Sequence, residues 1–292
     1  MEATDFEVPE NHQSGYVAVV GRPNVGKSTL MNVLLQEKIA IVTPRPQTTR
    51  TRQLGILTEE TYQIIFMDTP GIMRPRHKLD EFMVETAVDS LDDADVILWL
   101  VDASVRPGKM DKEIAVRLKS VPKTTPIILG MNKADLLKPA QVLPHTEAYG
   151  ALLPAAKWVL FSALRGNGCD EILQILVQSL PQGPRFYPAD QVTDSYLRDI
   201  AAEFVREQVM LRLRDEIPYG VAVQVEEFKE RPNGTTYISA NVFVERQNHK
   251  QIIIGAKGAQ LKAIGQAARK SIEQVLEGKV YLELWIKVNP KW

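Results

Sequence analysis

The stretch GRPNVGKS (21–28) constrains this chain more than any other. It follows the apolar run YVAVV, opens a helical pattern near Lys27, and fits G-x4-G-K-[ST]. A glycine-rich turn between a buried strand and a helix start points backbone N–H groups at one place, which suits a phosphate chain. The N–H groups of Asn24, Val25, Gly26, Lys27 and Ser28 are expected to ring the phosphates. Lys27 would neutralise the β/γ oxygens and Ser28 would hold Mg²⁺. Gly21, Arg22, Pro23 and Thr29 complete the contact segment.

Three further motifs follow in order. DTPG (68–71) ends the run IIFM, so that Asp68 can hold Mg²⁺ through water and the Gly71 N–H can meet a γ-phosphate, with Thr69, Pro70 and Ile72 alongside. NKAD (132–135) ends PIILGM, and SAL (162–164) ends KWVLFS. The Asp135 carboxylate can accept two hydrogen bonds from guanine N1–H and its exocyclic amine, a pair that adenine does not offer. Asn132 and Lys133 share that loop, and the Ser162–Ala163–Leu164 backbone can meet the guanine oxygen. The ligand read from this set is GTP rather than ATP. Between P-loop and DTPG lies TPRPQTTR (43–50), where Thr48 or Thr49 is expected to close over Mg²⁺. Thr49 is carried forward as the candidate ligand, and with Lys27 and Asn24 it makes the catalytic set. Ile72 stands where Ras-like proteins carry a water-orienting glutamine, so unaided hydrolysis is expected to be slow.

Strand-like runs YVAVV, YQIIFM, DVILWLV, PIILGMN and KWVLFSA alternate with helical patterns starting near Lys27, Leu79, Lys109 and Gly168. That alternation predicts an α/β P-loop domain over 16–180, its mostly parallel sheet covered by helices on both faces. Residues 1–15 read as an N-terminal extension, and the proline-rich 181–194 as a linker. Over 195–292 the order changes: a long helix across 195–216, a hairpin turning at Asn233-Gly234, two helices around a glycine loop, and a last strand VYLELWIKV.

That glycine loop, IIGAKG (253–258), lacks a GKS and follows a helix, so it is no second nucleotide site. From Arg246 to Lys270 there are six Lys/Arg and no acid, whereas residues 1–184 carry 19 basic and 22 acidic groups. A basic I-I-G-x-x-G between two helices matches the KH signature, in which the loop backbone clamps sugar-phosphates of single-stranded RNA. Ile253, Ile254, Gly255, Ala256, Lys257, Gly258, Lys262, Arg269 and Lys270 are the RNA candidates, in a smaller α+β KH type II domain. The single cysteine, Cys169, excludes a disulfide framework, and no uncharged apolar run reaches the roughly 18 residues of a membrane span. A soluble cytoplasmic monomer is expected. Trp99 and Trp158 read as core, His77 as a solvated residue beside DTPG, and Cys169 as structural.

GRPNVGKS, PQTTR, DTPGI, NKAD, SAL, IPYG (217–220), GAKG and LELWIKV together resemble the bacterial Era family over essentially the whole chain after residue 15. The resemblance implies a GTPase that assists 30S subunit assembly and 16S rRNA maturation by binding the rRNA 3′ end through its KH domain. It also implies that Asn24 helps bind K⁺, the other reading of Asn24 being a turn-former. The family's peripheral membrane association has no visible anchor here. The competing reading is a Der-like GTPase whose KH-like domain binds protein.

Overall fold

A computed structural model describes residues 8–75 and 77–290, so most of the 1–15 extension lies outside the described residues. The chain divides into two compact units, with breaks after Lys38, Thr48 and Asp194. Residues 39–48 group with 195–292, and the remainder forms the first unit.

In the first unit the chain runs β1 (Gln13–Gly21), α1 (Lys27–Leu35), β2 (Gln53–Thr58), β3 (Tyr62–Asp68), α2 (Lys78–Asp92), β4 (Val96–Asp102) and α3 (Lys109–Leu118). It continues through β5 (Ile127–Asn132), α4 (Pro139–Gly150), β6 (Lys157–Leu160) and α5 (Cys169–Ser179). The sheet order is β2-β3-β1-β4-β5-β6, parallel throughout except for β2 against β3. Strands β3 and β4 are buried along almost their whole length, because helices cover both faces; hence their unbroken apolar runs. All four nucleotide motifs leave the carboxyl ends of β1, β3, β5 and β6, where sheets of this kind bind ligands.

Two elements went unread in the sequence. Strand β2 (QLGILT) is short and mixed, and as an antiparallel edge it carries no long apolar run. Helix α4 has Pro144 inside, which argues against a helix from sequence, whereas Pro139 at its first position is a favoured start. Trp158 was expected in the core; it is 52% exposed, because β6 is the sheet's edge, whereas Trp99 on central β4 is fully buried. The stretch 181–194, read as a linker, is bound to the first unit. Gln63 Nε2 donates to Tyr187 O at 2.8 Å, Ile56 N to Val192 O at 2.7 Å and Thr193 Oγ1 to Leu54 O at 2.7 Å.

The second unit contains α6 (Leu197–Arg212), β7 (Val221–Glu230), β8 (Thr235–Val244), α7 (Gln247–Ile254), α8 (Ala259–Leu276) and β9 (Lys279–Val288). Its sheet order is β7-β8-β9, with β7 antiparallel and β9 parallel to β8. Helix α6 stops at Arg212, short of the expected 216. Leu213 is extended, Asp215 has φ 57°, and a 3₁₀ turn through Pro218 follows. The hairpin turns where expected, with Gly234 at φ 73°.

Residues 39–48 are held on α6. Ile41, 1% exposed, packs in a cluster with Ile200, Phe204 and Ala240, a burial that contributes about 1.5–3 kcal/mol. Val42 N donates to Glu207 Oε1 at 3.0 Å, and the Arg45 and Arg206 guanidinium groups donate to Leu213 O and Thr48 O.

Candidate nucleotide site and nucleic-acid interface

The P-loop conformation requires glycine at two places. A Cβ on Gly26 (φ 102°) would stand 2.3 Å from Asn132 Nδ2, and one on Gly21 (φ 154°) would stand 2.3 Å from Leu100 O. Asn24 takes φ 63°, a left-handed turn position that asparagine tolerates. Arg22 is pinned by Asp111 of α3, Nε to Oδ1 at 2.7 Å, and the same carboxylate accepts the Gly108 N–H at 2.8 Å. Lys27 is buried, its Nζ 3.2 Å from Arg22 O. Burial brings its ammonium down to about 8, against the opposing pull of Asp68.

Asp68, fully buried at the end of β3, accepts from Ser28 Oγ at 2.5 Å and from Thr49 Oγ1 at 3.4 Å through Oδ2. Ser28 Oγ and Thr49 Oγ1 are 3.1 Å apart. The other carboxylate oxygen, Oδ1, is buried with no hydrogen-bond partner. Burial raises the Asp68 carboxyl, and the Lys27 charge with the Ser28 and Thr49 hydroxyls opposes that rise. One orphaned carboxylate oxygen beside two hydroxyls is a hard oxygen donor set, and it fits Mg²⁺. Thr48 is turned elsewhere, with its Oγ1 2.6 Å from Thr43 Oγ1 and 2.8 Å from Arg45 O. Of the two threonines, Thr49 is the one at this cluster.

The DTPG loop lies directly against the P-loop: a Cβ on Gly71 would be 2.6 Å from Pro23 N. Thr69 Oγ1 donates to Val19 O at 2.8 Å. Ile72 does not face the phosphate cradle. Its side chain packs in the apolar core and its N–H donates to Gly21 O at 3.0 Å. Val25 is likewise a buried core residue, contributing backbone only.

On the base side, Asn132 acts as a rivet. Its Nδ2 donates to Val25 O at 2.8 Å, and its Oδ1 accepts from Lys133 N at 2.7 Å and Ala163 N at 2.9 Å. One side chain thereby joins P-loop, NKAD and SAL. Ser162 Oγ donates to Asp135 Oδ1 at 2.5 Å, which fixes the carboxylate expected to read the base. Lys133 (φ 67°) reaches Asp102 Oδ2 at 2.7 Å. Burial alone would raise the Asp102 carboxyl, but its bonds to Lys133 and Ser104 hold it below its ordinary value. Leu164 is 76% exposed, so only its backbone serves the loop. Asp102 and Asp111 were not foreseen. Asp102 had a usable signal, as an acid at the carboxyl end of a parallel strand; Asp111 had none. Cys169 is buried, its Sγ 3.9 Å from Ser162 O, and His77 is exposed at the N-cap of α2.

In the second unit, Gly255 (φ 69°), Lys257 (φ 48°) and Gly258 (φ 79°) turn the chain sharply between α7 and α8, leaving Ala256 and Lys257 exposed. Gly258, Lys262, Gly265, Arg269 and Leu284 line a groove beside the loop, between α8 and β9. Ile253, expected to meet RNA, is instead fully buried in the core, because α7 turns that side inward; Ile252 is the exposed isoleucine at 47%. Lys270 is exposed on α8 outside the groove lining.

Residues 16–133 match the family model described as a 50S ribosome-binding GTPase, and 216–292 match the KH domain model. The chain is 46% identical to the GTPase Era of Halothermothrix orenii over 97% of its own length and 95% of that protein. It is 47% identical to that of Carboxydothermus hydrogenoformans over 97% and 94%. Among solved structures, Era in complex with MgGDPNP and nucleotides 1506–1542 of 16S ribosomal RNA superposes with a TM-score of 0.90. The identity there is 43%, covering 96% of this chain and 95% of that one.

Proposed function

This chain belongs to the Era family of GTPases, and from that premise we propose that its KH domain binds the single-stranded 3′ region of 16S rRNA during small-subunit assembly. The observation that carries this reading is the exposed GAKG turn, which opens beside a groove bearing Lys262 and Arg269. Its N–H groups and Lys257 would hold sugar-phosphates while the groove takes unstacked bases.

GTP hydrolysis is the reaction. The P-loop N–H groups and Lys27 hold the triphosphate, and Asp135, aimed by Ser162, selects guanine. Ser28, Asp68 and Thr49 would hold Mg²⁺, which would offset the charge of the phosphate oxygens. Gly71 lies close enough to the P-loop for its N–H to sense the γ-phosphate. No side chain at position 72 orients water, since Ile72 is buried in the core. We assign the missing positive charge to K⁺ held with the help of Asn24, an exposed residue in a left-handed turn of the P-loop. The protein acts as a cytoplasmic monomer in this reading. Among the described residues no helix is long and apolar enough to cross a membrane.

The test of the RNA reading is a double substitution, Ala256→Asp with Lys257→Asp. It replaces one positive by two negative charges where counterion release supplies affinity. Titration with single-stranded and duplex rRNA fragments should show a preference of wild type for single strands and a loss of orders of magnitude in the variant. GTP affinity and circular dichroism should be unchanged. Undiminished RNA binding by the folded variant would make the C-terminal domain a protein-interaction module.

A further inference from the structure

The outer face of the β7-β8-β9 sheet carries an aromatic cluster that the groove does not account for. Tyr237 and Tyr281 are directly opposite each other in the β8–β9 register, their rings stacked at 5.9 Å and 23°. The Arg231 guanidinium, from the hairpin turn, lies over both, 4.5 Å from the Tyr237 centroid and 5.2 Å from that of Tyr281. Tyr237 OH donates to Glu283 at 2.6 Å, which fixes the ring, and Tyr281 is 54% exposed. Trp285, four residues along β9, is 56% exposed. A cross-strand tyrosine pair by itself is ordinary sheet stabilisation. Two further observations give this one another use. Tyr281 also lines the groove beside GAKG, so the cluster is continuous with the surface read above as the RNA path. The local charge also leans positive: Arg231, Lys229, Lys279 and Lys287 on this face stand against Glu226, Glu227 and Glu283, and Glu227 is paired with Lys229 at 2.8 Å.

We propose that Tyr237, Tyr281 and Arg231 form a stacking platform for unpaired RNA bases, extending the path of a strand that leaves the GAKG groove across the edge of β9. The proposal rests on the RNA reading of the KH domain. Aromatic faces and guanidinium planes both accept bases without sequence preference, and Arg231 adds a charge for the adjoining phosphate.

The experiment compares two single-stranded fragments of the 16S rRNA 3′ region, one of about four nucleotides, the number the loop clamps, and one of about ten. Tyr237→Ala and Arg231→Ala should each weaken the long fragment by about 5- to 150-fold, the range for losing one stacked base, and leave the short one unchanged. Tyr237→Phe, which keeps the ring and loses the bond to Glu283, should bind like wild type. Arg231 sits in an exposed turn, so its variant keeps the test valid if Tyr237→Ala unfolds. Equal binding of the long fragment by wild type and Arg231→Ala would overturn the platform, leaving the cluster a sheet-stabilising or protein-docking feature. Failure of wild type to bind either fragment would overturn the RNA reading beneath it.

Discussion

Asn132 is the residue whose removal should reach furthest through the nucleotide site. Asn132→Ala deletes one donor and one doubly used acceptor, leaving Val25 O, Lys133 N and Ala163 N without their partners. At about 1 kcal/mol net for each bond, the loss is about 3 kcal/mol. For a unit of this size that corresponds to a melting temperature lower by about 6–12 °C. Part of the cost should appear in binding instead, because the bond to Val25 fixes the P-loop relative to the base-reading loops. GDP affinity is expected to fall by about 10- to 100-fold, bounded by the roughly 150-fold that 3 kcal/mol allows. Asn132→Asp sharpens the test. It keeps both acceptor roles and turns only the third bond into a carboxylate facing a buried carbonyl, so it should be at least as harmful as alanine. Fluorescence titration with a labelled GDP, together with thermal melts with and without nucleotide, measures both effects. Wild-type affinity and melting temperature in Asn132→Asp would refute the rivet and make the Val25 contact incidental.

Asp135→Asn should abolish tight GTP binding, by up to about 10⁴-fold, and favour xanthosine triphosphate, read by parallel titration of the two nucleotides. Single-turnover hydrolysis should be faster in KCl than in NaCl of equal ionic strength, and Asn24→Ala should erase the difference; equal rates in wild type would place the charge elsewhere. Asp102 has a folded-state pKa below its ordinary 3.8, so its contribution is complete above that value and is lost as pH falls through the lower one. Asp102→Asn should therefore flatten the acid limb of a stability-against-pH curve below about pH 4 and leave its slope above pH 5 unchanged.

Much of the nucleotide site was legible because its motifs sit at strand ends, where residue type, spacing and order all carry information. What escaped the sequence was how those motifs are tied together. Asn132 reads as a base contact in NKAD, but its bonds go to protein, two of them to residues far along the chain. Asp111 reaches Arg22 from 89 residues away, a pairing that no local pattern encodes. In the second unit, burial of Ile253 and exposure of Ile252 turn on the angle at which α7 meets the sheet, which an isoleucine triplet cannot specify. Strand β2 and helix α4 were missed because edge position and an internal proline weaken the periodic signal on which such reading depends.

The adjacent threonines have a consequence for substitution. Thr49 Oγ1 lies beside Ser28 Oγ and Asp68 Oδ2, whereas Thr48 Oγ1 is spent on Thr43 and on the Arg45 carbonyl. Neighbours of the same residue type, they are not interchangeable. A valine at 48 would loosen only its own turn, while a valine at 49 would take an oxygen from the donor set that fits Mg²⁺.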